Sequence, residues 1–172
     1  VSIFGLFRGG FWNYFFVIVG FGLIPLVELF WRGTDQNLEP DEEAQAKRDK
    51  WYDIAVYIVV PLQCVASCVF LWKSQQSLSF VAFVGLVVNL GVLNGVFAIN
   101  VGHELGHRRK KSEQWMSQTL LLTTLYMHFF IEHNRGHHVR VATEDDPASA
   151  RYGETLYSFW WRSVRHSYLS AW

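Results

Sequence analysis

Three apolar stretches, residues 11–30, 54–71 and 78–101, constrain this chain more than any other feature of it. Each approaches or reaches the roughly 20 apolar residues that a helix needs to cross a hydrocarbon core. Trp12 and Trp31 bracket the first stretch, Trp51 and Trp72 the second, and the third runs directly into NVGHELGHRRKK. Tryptophan pairs about one hydrocarbon thickness apart are what an interfacial aromatic belt produces. The expected fold is all-α, a polytopic transmembrane helical bundle, against the alternative of buried helices in a soluble protein.

Lys and Arg orient such spans. The loop 32–50 carries Arg32, Lys47, Arg48 and Lys50, the link 73–77 only Lys73, and the third span exits into Arg108, Arg109, Lys110 and Lys111. By the positive-inside rule, loop 32–50 and the histidine motif lie on the cytoplasmic side. TDQNLEPDEEAQAKRDK then reads as a solvated polar loop. Lys plus Arg balance Asp plus Glu at 15 each, so net charge points to no nucleic-acid partner. Cys64 and Cys68, inside an apolar run, read as small buried helix residues.

Residues 119–131 are apolar for only 13 positions, short for a span and suited to a buried or re-entrant helix. ETLYSFWWRSVRHSYLSAW mixes aromatics with Arg162 and Arg165 and reads as a helix lying along the membrane interface. The chain begins at Val1 without a Met and stops inside an aromatic run, so 1–172 is expected to be a single partial domain whose C-terminal part is missing.

Five of the seven histidines fall into two boxes, His103 and His107, then His133, His137 and His138. Residues four apart share a helix face, so each box offers two imidazoles to one metal, while His138 points about 100° away. Imidazole suits zinc, copper, iron and nickel alike. A catalytic zinc takes about three protein ligands, and five histidines exceed that, pointing to a dinuclear, cytosol-facing di-metal site. Two redox-active irons under a hydrocarbon-lined bundle suit activation of O2.

NVGHELGHRRK, HFFIEHNRGHHVRVAT and DPASARYGE together resemble the membrane-bound, non-haem di-iron alkane 1-monooxygenases, relatives of the membrane fatty-acid desaturases and xylene monooxygenases. The resemblance is densest over residues 89–154. It implies terminal hydroxylation of medium- or long-chain alkanes with O2 at two Fe ions, and electrons from a rubredoxin-type donor with its NAD(P)H-dependent reductase. It places the protein in the inner membrane and makes His103, His107, His133, His137 and His138 the iron ligands. The family's further histidine motifs would lie beyond Trp172, so these residues alone are expected to be inactive.

At 100° per residue, Asn89, Val92, Val96, Asn100, His103 and His107 cluster on one face of the third span, with Leu93 at its margin. Val92, Leu93 and Val96 are candidates to line an apolar channel that lowers an alkane toward the metal, with Gly20 of the first span as a second wall. Gly91, Gly95, Ala98, Gly102 and Gly106 form a separate stripe, a surface for close packing of a neighbouring helix. Asn89 and Asn94 are polar groups inside a span and need partners there. Ligating histidines give their other N–H to a carboxylate or carbonyl, which makes Asp146 and Glu132 candidates, with Asn100 and Glu104 as further neighbours of the ligands. His128 reads as structural and His166 as solvent- or headgroup-facing.

Three alternatives compete. A zinc protease would use Glu104 as general base on a metal-bound water, but leaves EHNRGHH unexplained. A desaturase, or a hydroxylase of fatty acyl or aromatic methyl groups, shares both boxes. A membrane metal carrier would show more acidic or thiolate residues along the spans than Glu28 and the two cysteines.

Overall fold

Proline and glycine set the course of the first apolar stretch. Pro25 has no N–H for the carbonyl of Phe21, and the helix absorbs the defect in a π turn at Val19–Leu23 that contains Gly20 and Gly22. In the computed structural model, which describes residues 2–31, 33, 37, 39–46 and 48–172, that helix runs Trp12–Glu28, 17 residues, rather than over 11–30. Among the described residues every regular element is helical: α1 (Ser2–Arg8), α2 (Trp12–Glu28), α3 (Pro40–Ala46), α4 (Lys50–Ser74), α5 (Phe80–Gly106), α6 (Lys111–Thr123), α7 (residues 128–140) and α8 (Leu156–Ser170).

α4 and α5, of 25 and 27 residues, are long and apolar enough to cross a membrane and extend the expected spans 54–71 and 78–101 at both ends or one. Only 17% and 22% of their most apolar windows are buried within the protein, unlike the core helix of a soluble domain. α4 loosens at Ile58, just before Pro61, which has no N–H to donate within the helix. The segment read as a polar loop contains α3, which has Pro at its first position and Asp41, Glu42 and Glu43 in its first turn. Arg32 and Lys47, counted in the charge argument, lie outside the described residues.

The chain divides into two compact units, Val1–Ala98 and Ile99–Trp172. In the first, α1, α4 and α5 enclose Leu6, Ala66, Val69, Leu86 and Leu93. α1 turns into α2 at Gly9 and Gly10, whose φ values of +74° and +58° favour glycine. Tyr14 lies so close to Gly85 that a Cβ there would stand 2.6 Å from its ring. The asparagines of this apolar stretch do find partners. Asn89 donates to the Ser2 carbonyl at 3.1 Å and to Asn13 Oδ1 at 3.3 Å, and Asn94 accepts from Gln63 Nε2 at 2.6 Å.

In the second unit the end of α5 packs on α6 through glycines. A Cβ on Gly102 would stand 3.2 Å from Leu121 and one on Gly106 3.1 Å from Ser117, whose hydroxyl donates to the Gly102 carbonyl. The expected glycine stripe is therefore half right, because Gly91 and Gly95 have nothing within 4 Å of where a Cβ would sit. A π turn at Asn94–Ile99 adds a residue to one turn of the helix.

The stretch 119–131 is not one helix. α6 ends in a Schellman motif: Leu125 takes φ +56°, Tyr126 N–H bonds the Leu121 carbonyl at 2.8 Å, and Leu125 N–H bonds that of Leu122 at 3.0 Å. α7 then starts afresh at His128 and carries the second histidine box.

Candidate metal centre

α5 delivers His103 from its last turn and His107 from the residue that caps it, and α7 delivers the second box. The Nε2 atoms of His103, His107, His133 and His138 converge. His103 and His133 are 2.7 Å apart, His107 and His103 2.9 Å, His133 and His107 3.1 Å, and His138 and His133 3.1 Å. Ligand atoms of His103, His107 and His133 all lie within 4.8 Å of one another. A neutral imidazole has one N–H for two nitrogens, so three mutually close Nε2 atoms cannot all be satisfied by hydrogen bonds among themselves. A cation at their focus satisfies all three lone pairs, and this donor set fits a transition metal of borderline softness.

The box spacing alone predicts that His133 and His137 present a shared pair while His138 turns away. Instead Glu132–His137 forms a π turn, whose i→i+5 periodicity brings His138 to His133 at nitrogen-to-nitrogen distance. Gly136 leaves room beside this turn for the Glu132 carboxylate, which a Cβ there would overlap. His137 stays stacked on His133, with ring centroids 5.3 Å apart at 20°. Phe129, four residues before His133, lies nearly parallel to it at 4.7 Å and 17°. Burial, then the neighbouring His103, His138 and His107, lower the His133 pKa to about 4, so its ring is neutral at physiological pH.

Asp146 sits where a partner of a ligating histidine belongs. It is buried, and its Oδ2 lies 2.8 Å from His137 Nδ1. A carboxylate there holds the proton on Nδ1 and leaves Nε2 as the lone-pair atom. Burial alone would raise the Asp146 pKa. Hydrogen bonds from Ser149 Oγ (2.6 Å), the Ala148 N–H (2.9 Å) and His137 outweigh it and keep the carboxyl below its ordinary value.

DPASARYGE is the loop that fixes this carboxylate. Ser149 Oγ accepts the Ala142 N–H at 3.0 Å while donating to Asp146, and Gly153 turns the chain at φ +77°. Arg162 of α8 clasps the loop from behind. It donates to Glu154 Oε1 and Oε2 at 2.7 Å each, to the Ser149 carbonyl at 2.9 Å and to that of Pro147 at 3.3 Å. The Arg162 hydrogen bonds depress the Glu154 pKa to about 2. Reading the sequence missed Phe129, Ser149, Glu154 and Arg162. Phe129 carried a signal in its place one turn before His133, and Ser149 and Glu154 in their membership of DPASARYGE.

The other candidates lie elsewhere. Glu132, buried, pairs with Arg140 Nη2 at 2.8 Å rather than with a histidine. Glu104 is exposed and its carboxylate stands 3.5 Å from Arg108 Nε, an arrangement unlike a protease's general base. Arg108 also holds Glu113 at 2.9 Å, so the basic run is not four free charges. Asn100 is exposed near the end of α5. Leu93 belongs to the core of the first unit, Val96 is 40% exposed, Val92 is half-buried, and nothing stands within 4 Å of a Cβ on Gly20. His128 packs its ring against Tyr126 and Tyr168, and His166 is exposed.

Residues 77–172 match the fatty acid desaturase family. The chain is 38% identical over 166 residues to an alkane 1-monooxygenase of Pseudomonas putida, covering 94% of this chain and 41% of that protein. It is 37% identical to alkane 1-monooxygenase 1 of Alcanivorax borkumensis, covering 94% and 40%. It is also 26% identical to the xylene/toluene monooxygenase hydroxylase component of Pseudomonas putida, covering 92% and 42%. The chain thus spans about two fifths of the length of the curated relatives it matches. With more than half of its residues matched, and with both histidine boxes inside the matched region, the chain belongs to the fatty acid desaturase family.

Proposed function

We propose that the full-length protein is a membrane alkane 1-monooxygenase, which uses O2 to convert the terminal methyl of a medium- or long-chain alkane to a primary alcohol at a centre of two iron ions. The observation that carries this reading is the convergence of His103, His107 and His133 at Nε2 distances of 2.7–3.1 Å, in a chain whose relatives are named for that reaction. His137 and His138 complete the ligands contributed by these residues.

Iron, when bound, supplies the reductive activation of O2 that an unactivated C–H bond demands. The protein's residues do the rest. Asp146 keeps the His137 proton on Nδ1. Phe129 covers one face of the His133 ring and keeps water from it. Val92, Leu93, Val96 and Gly20 remain our candidates to guide the aliphatic chain, and Asn100 to orient a ligand.

The apolar, mostly exposed α4 and α5 support a multi-pass protein of the inner membrane, with the histidines on the cytoplasmic side, where Arg109 and Lys110 are exposed for an acidic, rubredoxin-type donor served by an NAD(P)H-dependent reductase. Membranes containing the full-length protein, supplied with n-octane, 18O2 and the electron donor, are expected to form 1-octanol carrying 18O. Octene without oxygen incorporation would make it a desaturase. Oxidation of p-xylene with none of octane would place it with the aromatic-methyl hydroxylases.

A further inference from the structure

An apolar cavity of about 420 Å3 lies in the first unit, walled by Phe16, Leu62, Leu93 and Phe97 among others. Its size is that of a small-molecule site. Two polar side chains also line it. Gln63 is 2% exposed and Ser2 5% exposed, and among the described residues neither Gln63 Oε1 nor Ser2 Oγ has a hydrogen-bond partner. Gln63 is held in place by its other amide atom, Nε2, which donates to Asn94 Oδ1 at 2.6 Å. In a hydrocarbon setting no bulk water compensates such groups, so their lone pairs and proton demand a partner.

We propose that this cavity binds the hydroxyl end of a linear primary alcohol, its chain lying along the apolar walls. A hydroxyl both donates and accepts. It can donate to the Gln63 carbonyl or accept from the Ser2 hydroxyl, and if the Gln63 amide is turned over it accepts from the amide instead. An alkane satisfies neither group. A carboxylate has no proton for the Gln63 carbonyl and would bring a charge among apolar walls. The alcohol is also the class of product of the reaction proposed above. That link to turnover rests on that reading, whereas the binding does not.

The test is photo-labelling of the full-length protein in lipid nanodiscs with two ten-carbon diazirine probes, one ending in a hydroxyl and one in a methyl, mapped by peptide mass spectrometry. The expected result is saturable labelling of the peptides bearing Leu62 and Phe97 by the hydroxyl probe, displaced by 1-decanol. Gln63→Leu and Ser2→Ala should each weaken it about tenfold, the loss of one buried hydrogen bond, while labelling by the methyl probe stays unchanged. Equal labelling by the two probes in the unaltered protein, or hydroxyl labelling indifferent to both substitutions, overturns the site. Octane turnover in the same preparation separates the two claims. Turnover without hydroxyl-dependent labelling removes the site alone, and labelling without turnover removes the proposed reaction alone.

Discussion

His133 and His138 are five residues apart, yet their Nε2 atoms lie 3.1 Å from each other. An α-helix would separate them by well over a right angle, and the π turn at Glu132–His137 brings them together. Gly136 leaves room beside that turn for the buried Glu132 carboxylate, which Arg140 holds at 2.8 Å. Gly136→Ala should therefore destabilise the second unit by about 1–3 kcal/mol, the usual cost of overpacking, and lower the metal content of the full-length protein. Thermal unfolding together with elemental analysis checks both, and a variant with full metal content and unchanged melting would show that the turn tolerates a Cβ.

Asp146 should act through the proton it holds on His137. Asp146→Asn keeps the size of the side chain but presents an amide that can donate to Nδ1 and favours the tautomer with its proton on Nε2. Metal affinity should fall about 10–100-fold, measured by competition with a chelator, with little change in helix content by circular dichroism.

The Arg162–Glu154 clasp gives the second unit a pH signature. The folded-state pKa of Glu154 is about 2, below its ordinary 4.5. A depressed carboxyl contributes stability that is fully present above the unfolded value and lost as pH falls through the folded one. The stability difference between the unaltered protein and Glu154→Gln should be constant above about pH 5 and close between 4.5 and 2. A gap that widens on acidification would contradict the assignment.

Leu125 ends α6 in a left-handed conformation that glycine adopts at no cost. Its side chain is 87% exposed, so little packing is lost on removing it. Leu125→Gly should stabilise the protein by about 1 kcal/mol, a rise of a few degrees in Tm read by calorimetry.

These same residues show what was legible in the sequence. The two histidine boxes and the Asp146 contact could be read because their spacing and residue types carry the chemistry directly. The long apolar helices could be read because hydropathy over 20 residues is insensitive to local geometry. The π turns at Asn94–Ile99 and Glu132–His137 could not, because a wheel drawn at 100° per residue assumes an unbroken α-helix. That assumption misjudged the face of His138. The break at Leu125 was hidden because leucine is a helix former, and nothing local announces a left-handed cap. α3 had announced itself, with Pro40 at its start and the Glu42 carboxylate 3.3 Å from the Glu39 N–H, but its polarity read as loop. Arg162 was invisible because its partners are 8–15 residues away in an irregular loop.

The most direct test of the account is elemental analysis of the full-length protein purified in detergent, unaltered and with His137→Ala or His138→Ala. About two irons per chain are expected, with iron lost in both variants. A single zinc, retained in both, would contradict it.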